Sequence, residues 1–178
     1  EAASDTTPLH WAAEGGHPAV AERLVARGAD LEALDGWYGL GPLGWATIVR
    51  WAPQFHDAKP ATAVALIQAG ARLDIFSALA AERDDVVRAL VAADPAQLRR
   101  RLGFMGGGME PLHFAVAQGQ AEMAELLIGL GASLTSRTHW GLTPLALAFR
   151  TDDALLDELL RQRGAVEDVS TALMGQDP

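Results

Sequence analysis

The residues best suited to acid–base chemistry lie in one short stretch of the chain. His56 stands directly before Asp57, a combination that could act as an acid–base pair. Trp51 and Phe55 lie close by, among prolines that prevent a regular helix through this stretch. However, adjacent residues on a loop rarely point the same way, and no nucleophile or metal partner is evident nearby. The pattern therefore favours a longer, capped helix turn packed by Trp51 and Phe55 over a catalytic site.

A second stretch, Gly106-Gly107-Gly108, lies shortly after three consecutive arginines, Arg99 to Arg101. A phosphate-binding loop also needs a lysine and a preceding strand, and this stretch has neither. A flexible turn is therefore the favoured interpretation. Because the chain has no cysteine, disulfides, thiolate zinc sites and cysteine nucleophiles are excluded. We expect no metal and no cofactor, and the sequence favours a non-catalytic function.

Charge and composition narrow the class of partner. The 178 residues include 14 Lys and Arg against 23 Asp and Glu, which gives a net charge of -9. Such an acidic chain is poorly suited to nucleic acid or to anionic membranes. No apolar run is long enough for a membrane helix, and residues 1–10 lack the features of a signal peptide. High Ala, Gly, Leu and Arg usage without cysteine indicates a bacterial protein, and we expect it to be cytoplasmic.

The elements that position these residues are internal repeats. The sequence TPLHWA at Thr7–Ala12 recurs in related form at Gly41–Ala46, Glu110–Ala115 and Thr143–Ala148. A Gly-Ala pair follows the proline by 20 residues in three of these copies, and by 28 residues in the copy that contains Pro42. That second copy therefore carries about eight inserted residues. A fifth unit, between Gly70 and Pro111, lacks the proline signature.

Each repeat has the chemistry of a helix–turn–helix unit. A threonine at the start can cap free backbone N–H groups, and a proline at the first helical position loses no hydrogen bond. The second helix of each unit carries an apolar stripe at helical spacing, with Val20, Val64, Val87, Leu127 and Leu156 among its members. Glycine ends four of the five units, where it can adopt the left-handed conformation that stops a helix.

This pattern resembles the ankyrin repeat family, whose markers are a T-P-L-H-x-A signature and a period of ~33 residues. The resemblance implies an all-α ankyrin-repeat solenoid of stacked antiparallel helix pairs joined by β-turn or hairpin fingers. It also implies a single domain over residues 1–178. The expected repeats are 4–35, 36–73, 74–105, 106–137 and 138–168. A tail is expected at 169–178.

The resemblance also implies a role for particular residues. In the family, the signature histidine bonds to the backbone of its own turn and of the next one. Structural roles are accordingly expected for Thr7, Pro8, His10, His113, Thr143 and Pro144. The leading interpretation is a module that binds another protein on a concave face built from finger tips and first helices. The residues expected on that face are Trp37, Tyr38, Leu40, Met109, His139, Trp140, Leu142, Glu14, Arg150 and Thr151.

Two alternatives remain open from the sequence. One is a small-molecule-binding or enzymatic variant with an aromatic and histidine pocket near the insertion, formed by Trp45, Trp51, Phe55, His56 and Asp57. The other is a purely structural spacer between further domains. Trp11 and Trp45 occupy one equivalent position in their repeats, which favours packing between repeats over contact with a ligand.

Overall fold

The structure, a computed structural model, describes residues 5–49 and 59–167. Within these two ranges every regular element is an α-helix or a 3-10 helix, which confirms the predicted all-α class. Contacts divide the chain into two compact units, residues 1–83 and residues 84–178. The single domain expected from the sequence stays a prediction.

The first unit contains helices that pack in two rows. In the first row α1 contacts α3 and α3 contacts α5, while in the second row α2 contacts α4. Helix α1 also contacts α2, and α3 contacts α4, so each of these two pairs buries its apolar side against its neighbour as well as within itself. The helices are α1 Pro8–Glu14, α2 Pro18–Val25, α3 Pro42–Thr47, α4 Lys59–Gln68 and α5 Ile75–Ala80.

The second unit repeats this arrangement. Its helices are α6 Asp84–Ala93, α7 Pro111–Ala117, α8 Ala121–Gly129, α9 Pro144–Arg150 and α10 Ala154–Gln162, with 3-10 helices at Pro95–Arg99 and Phe104–Gly106. Helix α7 contacts both α8 and α9, and α10 contacts α8 and α9. The two complete pairs of this unit therefore stack on each other.

The helices begin at capping residues and the helix pairs end at glycines, as the sequence predicts. Thr143 Oγ1 accepts a hydrogen bond from the Ala146 N–H at 3.2 Å, and Asp74 Oδ1 accepts one from the Ser77 N–H at 2.7 Å. Left-handed glycines end the helix pairs as predicted, with φ values of 86°, 102°, 98° and 94° at Gly28, Gly70, Gly131 and Gly164. The sequence therefore specifies where each pair begins and ends.

The apolar stripes of the second helices are buried in part. Val87, Leu127 and Leu156 are buried, but four other apolar residues of these helices are exposed: Val20, Val64, Ile67 and Leu155. The apolar stripe is wider than the area of contact between helices. A second helix is covered where it meets its neighbours, so the flanks of its apolar side remain in water.

Two buried histidines connect a helix start to the following finger. The Thr7 N–H donates to Nδ1 of His10 at 3.0 Å, so the ring proton lies on Nε2, which donates to the Leu40 carbonyl at 3.1 Å. His113 repeats the geometry in the second unit. Its Nδ1 accepts from the Glu110 N–H, and its Nε2 donates to the Ser136 and Leu142 carbonyls at 3.1 and 3.2 Å.

Both histidines make stability depend on pH. Burial lowers the pKa of His10 and of His113 because it disfavours the charged ring. The same residues in the unfolded chain titrate at about pH 6.5, so the unfolded state binds more protons below that pH. Stability should therefore be highest above about pH 6.5 and should be lost as the pH falls below it. Urea unfolding followed between neutral and mildly acidic pH measures this slope.

Removing both buried histidines tests their part in that slope. A His10→Gln, His113→Gln double variant should flatten the slope of unfolding free energy against pH. If this variant kept the wild-type slope above pH 5, the acid sensitivity would come from other groups.

Candidate functional site

The turns between repeats form three hairpin-like fingers within the described residues. Finger A, residues 35–40, belongs to the first unit, while finger B, residues 102–109, and finger C, residues 138–142, belong to the second. In each finger the first residue donates its N–H to the carbonyl of the last at 3.0 Å, from Asp35 to Leu40, Leu102 to Met109, and Thr138 to Leu142. Each finger is therefore closed at its base.

Finger A is organised by a buried carboxylate that the sequence analysis missed. Oδ1 of Asp35 accepts from the Trp37 and Tyr38 N–H groups, both at 2.7 Å. Oδ2 accepts from the Leu40 N–H and from the indole Nε1–H of Trp45, both at 3.0 Å. One side chain thus satisfies three backbone donors and one core donor. The Asp35-Gly36 pair at the start of the turn is the signal that could have identified it.

The aromatic residues of the first unit contact one another. Trp45 is fully buried, and the ring of Trp37 stacks on it with a centroid distance of 6.2 Å and an interplanar angle of 24°. Tyr38 and Trp11 approach Trp45 edge-on at 6.0 and 5.4 Å. Trp37 and Tyr38 are consequently half-buried, not free at the tip as expected, whereas Trp11 keeps 47% of its surface exposed.

Fingers B and C are joined to each other. The His139 N–H donates to the Gly107 carbonyl at 2.8 Å, and Nη1 of Arg101 donates to the Arg137 carbonyl at 2.9 Å. A Cβ atom on Gly107 would lie 2.1 Å from the Trp140 ring. Gly107 has φ +66°, so the absence of a side chain serves both the turn and the close approach.

The same close approach occurs one residue later. A Cβ atom on Gly108 would lie 2.3 Å from the His139 ring, and its φ is +63°. Gly107 and Gly108 are both buried. The glycine triplet was interpreted from the sequence as a flexible turn. In the structure, the rings of Trp140 and His139 from finger C pack directly against Gly107 and Gly108.

Fingers B and C present large apolar side chains at their tips. Phe104 is 77% exposed, Trp140 is 63% exposed and Met105 is 48% exposed. His139 is exposed beside them. Phe104 and Met105 were not among the expected site residues, although their place before a glycine triplet marks them as turn residues. We call Phe104, Met105 and Trp140 the apolar tip cluster.

Three residues expected on the partner-binding face are buried and are corrected here. Leu40 and Leu142 lie at the finger bases, are 0% and 4% exposed, and turn their side chains into the core. Glu14 is buried in an ion pair with Nζ of Lys59 at 2.6 Å, because α4 covers the end of α1. None of the three is available to a partner on the surface.

Three other residues expected on the partner-binding face are less buried. Met109 is half-buried at the base of finger B, and Arg150 and Thr151 are exposed at the end of α9. The Thr151 hydroxyl donates back to the Leu147 and Ala148 carbonyls, which fixes its side chain against that helix end.

Of the residues expected in the alternative pocket, only Trp45 lies in the described ranges. Trp45 is fully buried and its indole N–H is bonded to Asp35, so its ring is not accessible to a ligand at the surface, and its expected place in the pocket was wrong. Trp51, Phe55, His56 and Asp57 lie outside the described residues. An open cleft of about 490 Å³ beside Val49 and Lys59 does not include Trp45. In the described ranges no three His, Asp or Glu side chains cluster as a metal site would require.

Comparisons with known proteins identify the repeats. The family model described as ankyrin repeat matches residues 4–36, and the model described as ankyrin repeats (many copies) matches residues 104–148. A chain from the structure of a predatory endopeptidase from Bdellovibrio bacteriovorus in complex with an immunity protein has a similar fold. It is 21% identical, with a TM-score of 0.56, over 89% of this chain and 81% of that chain.

No curated protein matches the chain. None of the helices in the described ranges combines the length and apolarity that crossing a membrane requires.

The Asp35 network predicts a large effect of a small substitution. Asp35→Asn replaces one acceptor oxygen by a donor, which leaves buried N–H groups without partners. We expect a loss of roughly 2–4 kcal/mol of unfolding free energy, since each orphaned buried donor costs about 1–3 kcal/mol. Chemical denaturation measures the loss. Asp30→Asn is the matched control, because exposed Asp30 caps an ordinary turn through the Glu32 N–H, and a similar loss there would refute the argument.

The packing of the Trp140 ring against Gly107 is tested with a pair of glycine substitutions. Gly107→Ala and Gly131→Ala both place a Cβ at positive φ, which costs roughly 1–2 kcal/mol in each case. Only Gly107→Ala should also displace the Trp140 ring, because a Cβ on Gly131 meets nothing within 4 Å. The Trp140 indole N–H resonance should shift strongly in Gly107→Ala alone. Equal shifts in the two variants would contradict the packing of the Trp140 ring against Gly107.

Proposed function

Because the chain is an ankyrin-repeat protein, we propose that it holds a protein partner on its fingers and the adjoining first helices. Ankyrin repeats are generally protein-interaction modules. The observation that carries the proposal is the apolar tip cluster of Phe104, Met105 and Trp140. Large exposed apolar side chains, aromatic ones above all, are enriched at binding hot spots.

The joining of fingers B and C supports this use. A flexible loop loses conformational entropy when a partner orders it, and that loss weakens binding. Here the His139–Gly107 and Arg101–Arg137 hydrogen bonds hold the two tips together before any partner arrives. A partner that contacts Phe104 and Trp140 therefore meets side chains whose backbone is already placed.

The first unit can contribute contact surface of a different kind. Trp11 is half-exposed at the edge of its aromatic cluster, and Trp37 and Tyr38 keep part of their rings accessible. Since these rings also pack on Trp45, their replacement would disturb the unit itself. The second unit therefore provides the cleaner test of binding. Cytoplasmic location and bacterial origin remain predictions from the sequence.

The test compares partner capture by two folded variants. Proteins captured from a lysate of the source cells by the immobilised wild-type chain are identified, and one is purified for affinity measurement. Phe104→Ala, Trp140→Ala should weaken its binding by at least about tenfold, as expected for the loss of two hot-spot side chains. The unfolding transition of the variant should stay close to that of the wild type, because both side chains are exposed.

The matched control removes exposed apolar side chains elsewhere. Val20→Ala, Leu155→Ala truncates residues of the second helices that are 48% and 69% exposed. This variant should capture the same partner with unchanged affinity. If the finger variant bound as tightly as the control, the partner would use another surface and the proposed role of the fingers would be wrong.

A further inference from the structure

Two positions of each second helix mark the side that receives the preceding repeat. They lie eight and four residues before the glycine that ends the helix pair. In the second and fifth repeats these positions are buried, at Thr62, Leu66, Leu156 and Leu160. In both repeats the second helix packs against the second helix of the preceding repeat, α4 against α2 and α10 against α8. A helix pair therefore covers these positions in both units.

The first repeat has apolar residues at the same two positions, but they are open to water. Val20 and Leu24 stand eight and four residues before Gly28. Val20 is 48% exposed and Leu24 is half-buried. On α1, Trp11 keeps 47% of its surface exposed, whereas Trp45, its equivalent in the second repeat, is fully buried. The first repeat thus has a side of the same kind as the contacts between repeats.

This open side is a shallow apolar hollow of about 610 Å³. We call Pro8, Trp11, Val20 and Leu24, which all line it, the first-repeat face. Among the described residues, those that line the hollow include no Asp, Glu, Lys or Arg. An apolar occupant can therefore cover the face without burying an unpaired charge, which would be costly.

The last repeat does not offer a matching side. The positions seven and three residues before the terminal glycine mark the side of a second helix towards the following repeat, and they are Ala21 and Val25, then Ala124 and Ile128, in the first and fourth repeats. In the last repeat they are Asp157 and Arg161, which form an ion pair at 2.7 Å. Arg161 also pairs with Glu167 at 2.8 Å. An apolar face seated on these charges would remove them from water, so head-to-tail association of copies is disfavoured.

We infer that two copies of the chain associate through their first-repeat faces. A helix pair covers the equivalent positions elsewhere in the chain, and the first repeat of a second copy supplies a helix pair with an apolar side. In a two-fold contact the same patch of both copies meets, so Trp11, Val20 and Leu24 of one copy lie against the first-repeat face of the other. Such a contact closes on itself and gives a dimer, not a fibre.

The size and charge of the contact set its expected strength. A standard interface has about 20–30 residues on each side, and the first-repeat face has far fewer, so we expect a dissociation constant of roughly 1–100 µM. Each copy has a net charge of -9, so the copies repel each other at long range. Salt screens this repulsion and leaves the apolar contact in place, so the dimer should become tighter as salt rises.

The test measures the mass of the full chain by sedimentation between about 1 and 300 µM, with the range set by the expected affinity. The wild type should pass from monomer to dimer over this range. Val20→Glu should weaken the dimer by at least about tenfold, because two-fold symmetry places both new carboxylates in the apolar contact. Leu155→Glu is the matched control, since it adds the same charge at a 69% exposed leucine of α10 and should change the affinity by less than about twofold. Unfolding curves establish that both variants are folded.

Cross-linking locates the contact independently. Because the chain has no cysteine, Val20→Cys introduces a single thiol. A short bismaleimide should join two copies of this variant much faster than two copies of Leu155→Cys. Equal rates would contradict a contact through the first-repeat face.

The remaining outcomes overturn the inference and separate it from the proposed function. A chain that stays monomeric at about 300 µM has no dimer of the expected strength; if Val20→Glu then reduced partner capture, the face would hold helices of another protein. A dimer that weakens as salt rises, or that survives Val20→Glu, would use another contact. If Phe104→Ala, Trp140→Ala abolished the dimer, the fingers would be the contact between copies. Partner affinity of the fingers is measured separately, so failure of the dimer leaves the proposed function standing.

Discussion

The fingers of this protein depend on buried side chains that satisfy their backbone hydrogen-bonding groups. A turn between helices has N–H and C=O groups that no helix pairs, and burying them unpaired would be costly. Asp35 accepts three backbone N–H groups of finger A, and His10 donates to the carbonyl at its base. His113 does the same for the finger of the following repeat. These contacts make fingers A and C extensions of the packed helices beneath them.

This dependence explains why similar turns expose their large side chains to different degrees in the two units. In finger A the backbone is drawn towards Asp35 and Trp45, so Trp37 and Tyr38 fold onto the core and lose much of their exposure. In finger B the interior positions are taken by glycines, which leaves the bulky Phe104 outside. Small residues within a turn thus leave its large residues exposed.

The sequence specified the fold well because its signals are local. Proline at a helix start and left-handed glycine at a pair's end act within one turn of backbone, so the repeats could be located without coordinates. The fate of a finger side chain depends instead on residues far away in sequence. Glu14 is paired with Lys59, which lies 45 residues later in the chain, and the Trp140 ring packs against Gly107 of another repeat. No spacing rule within one repeat contains that information, so Leu40, Leu142 and Glu14 were misplaced.

The joined fingers also limit how freely the residues of the finger surface can be replaced. Repeat proteins are commonly described as constant scaffolds with independently variable surfaces, but here the rings of His139 and Trp140 lie where side chains on Gly108 and Gly107 would be. A larger residue at either glycine would displace a surface residue of the next repeat. Because the contact is reciprocal, a new side chain at 139 or 140 changes how finger B is covered. The tips of neighbouring repeats therefore form one surface whose chemistry is set jointly.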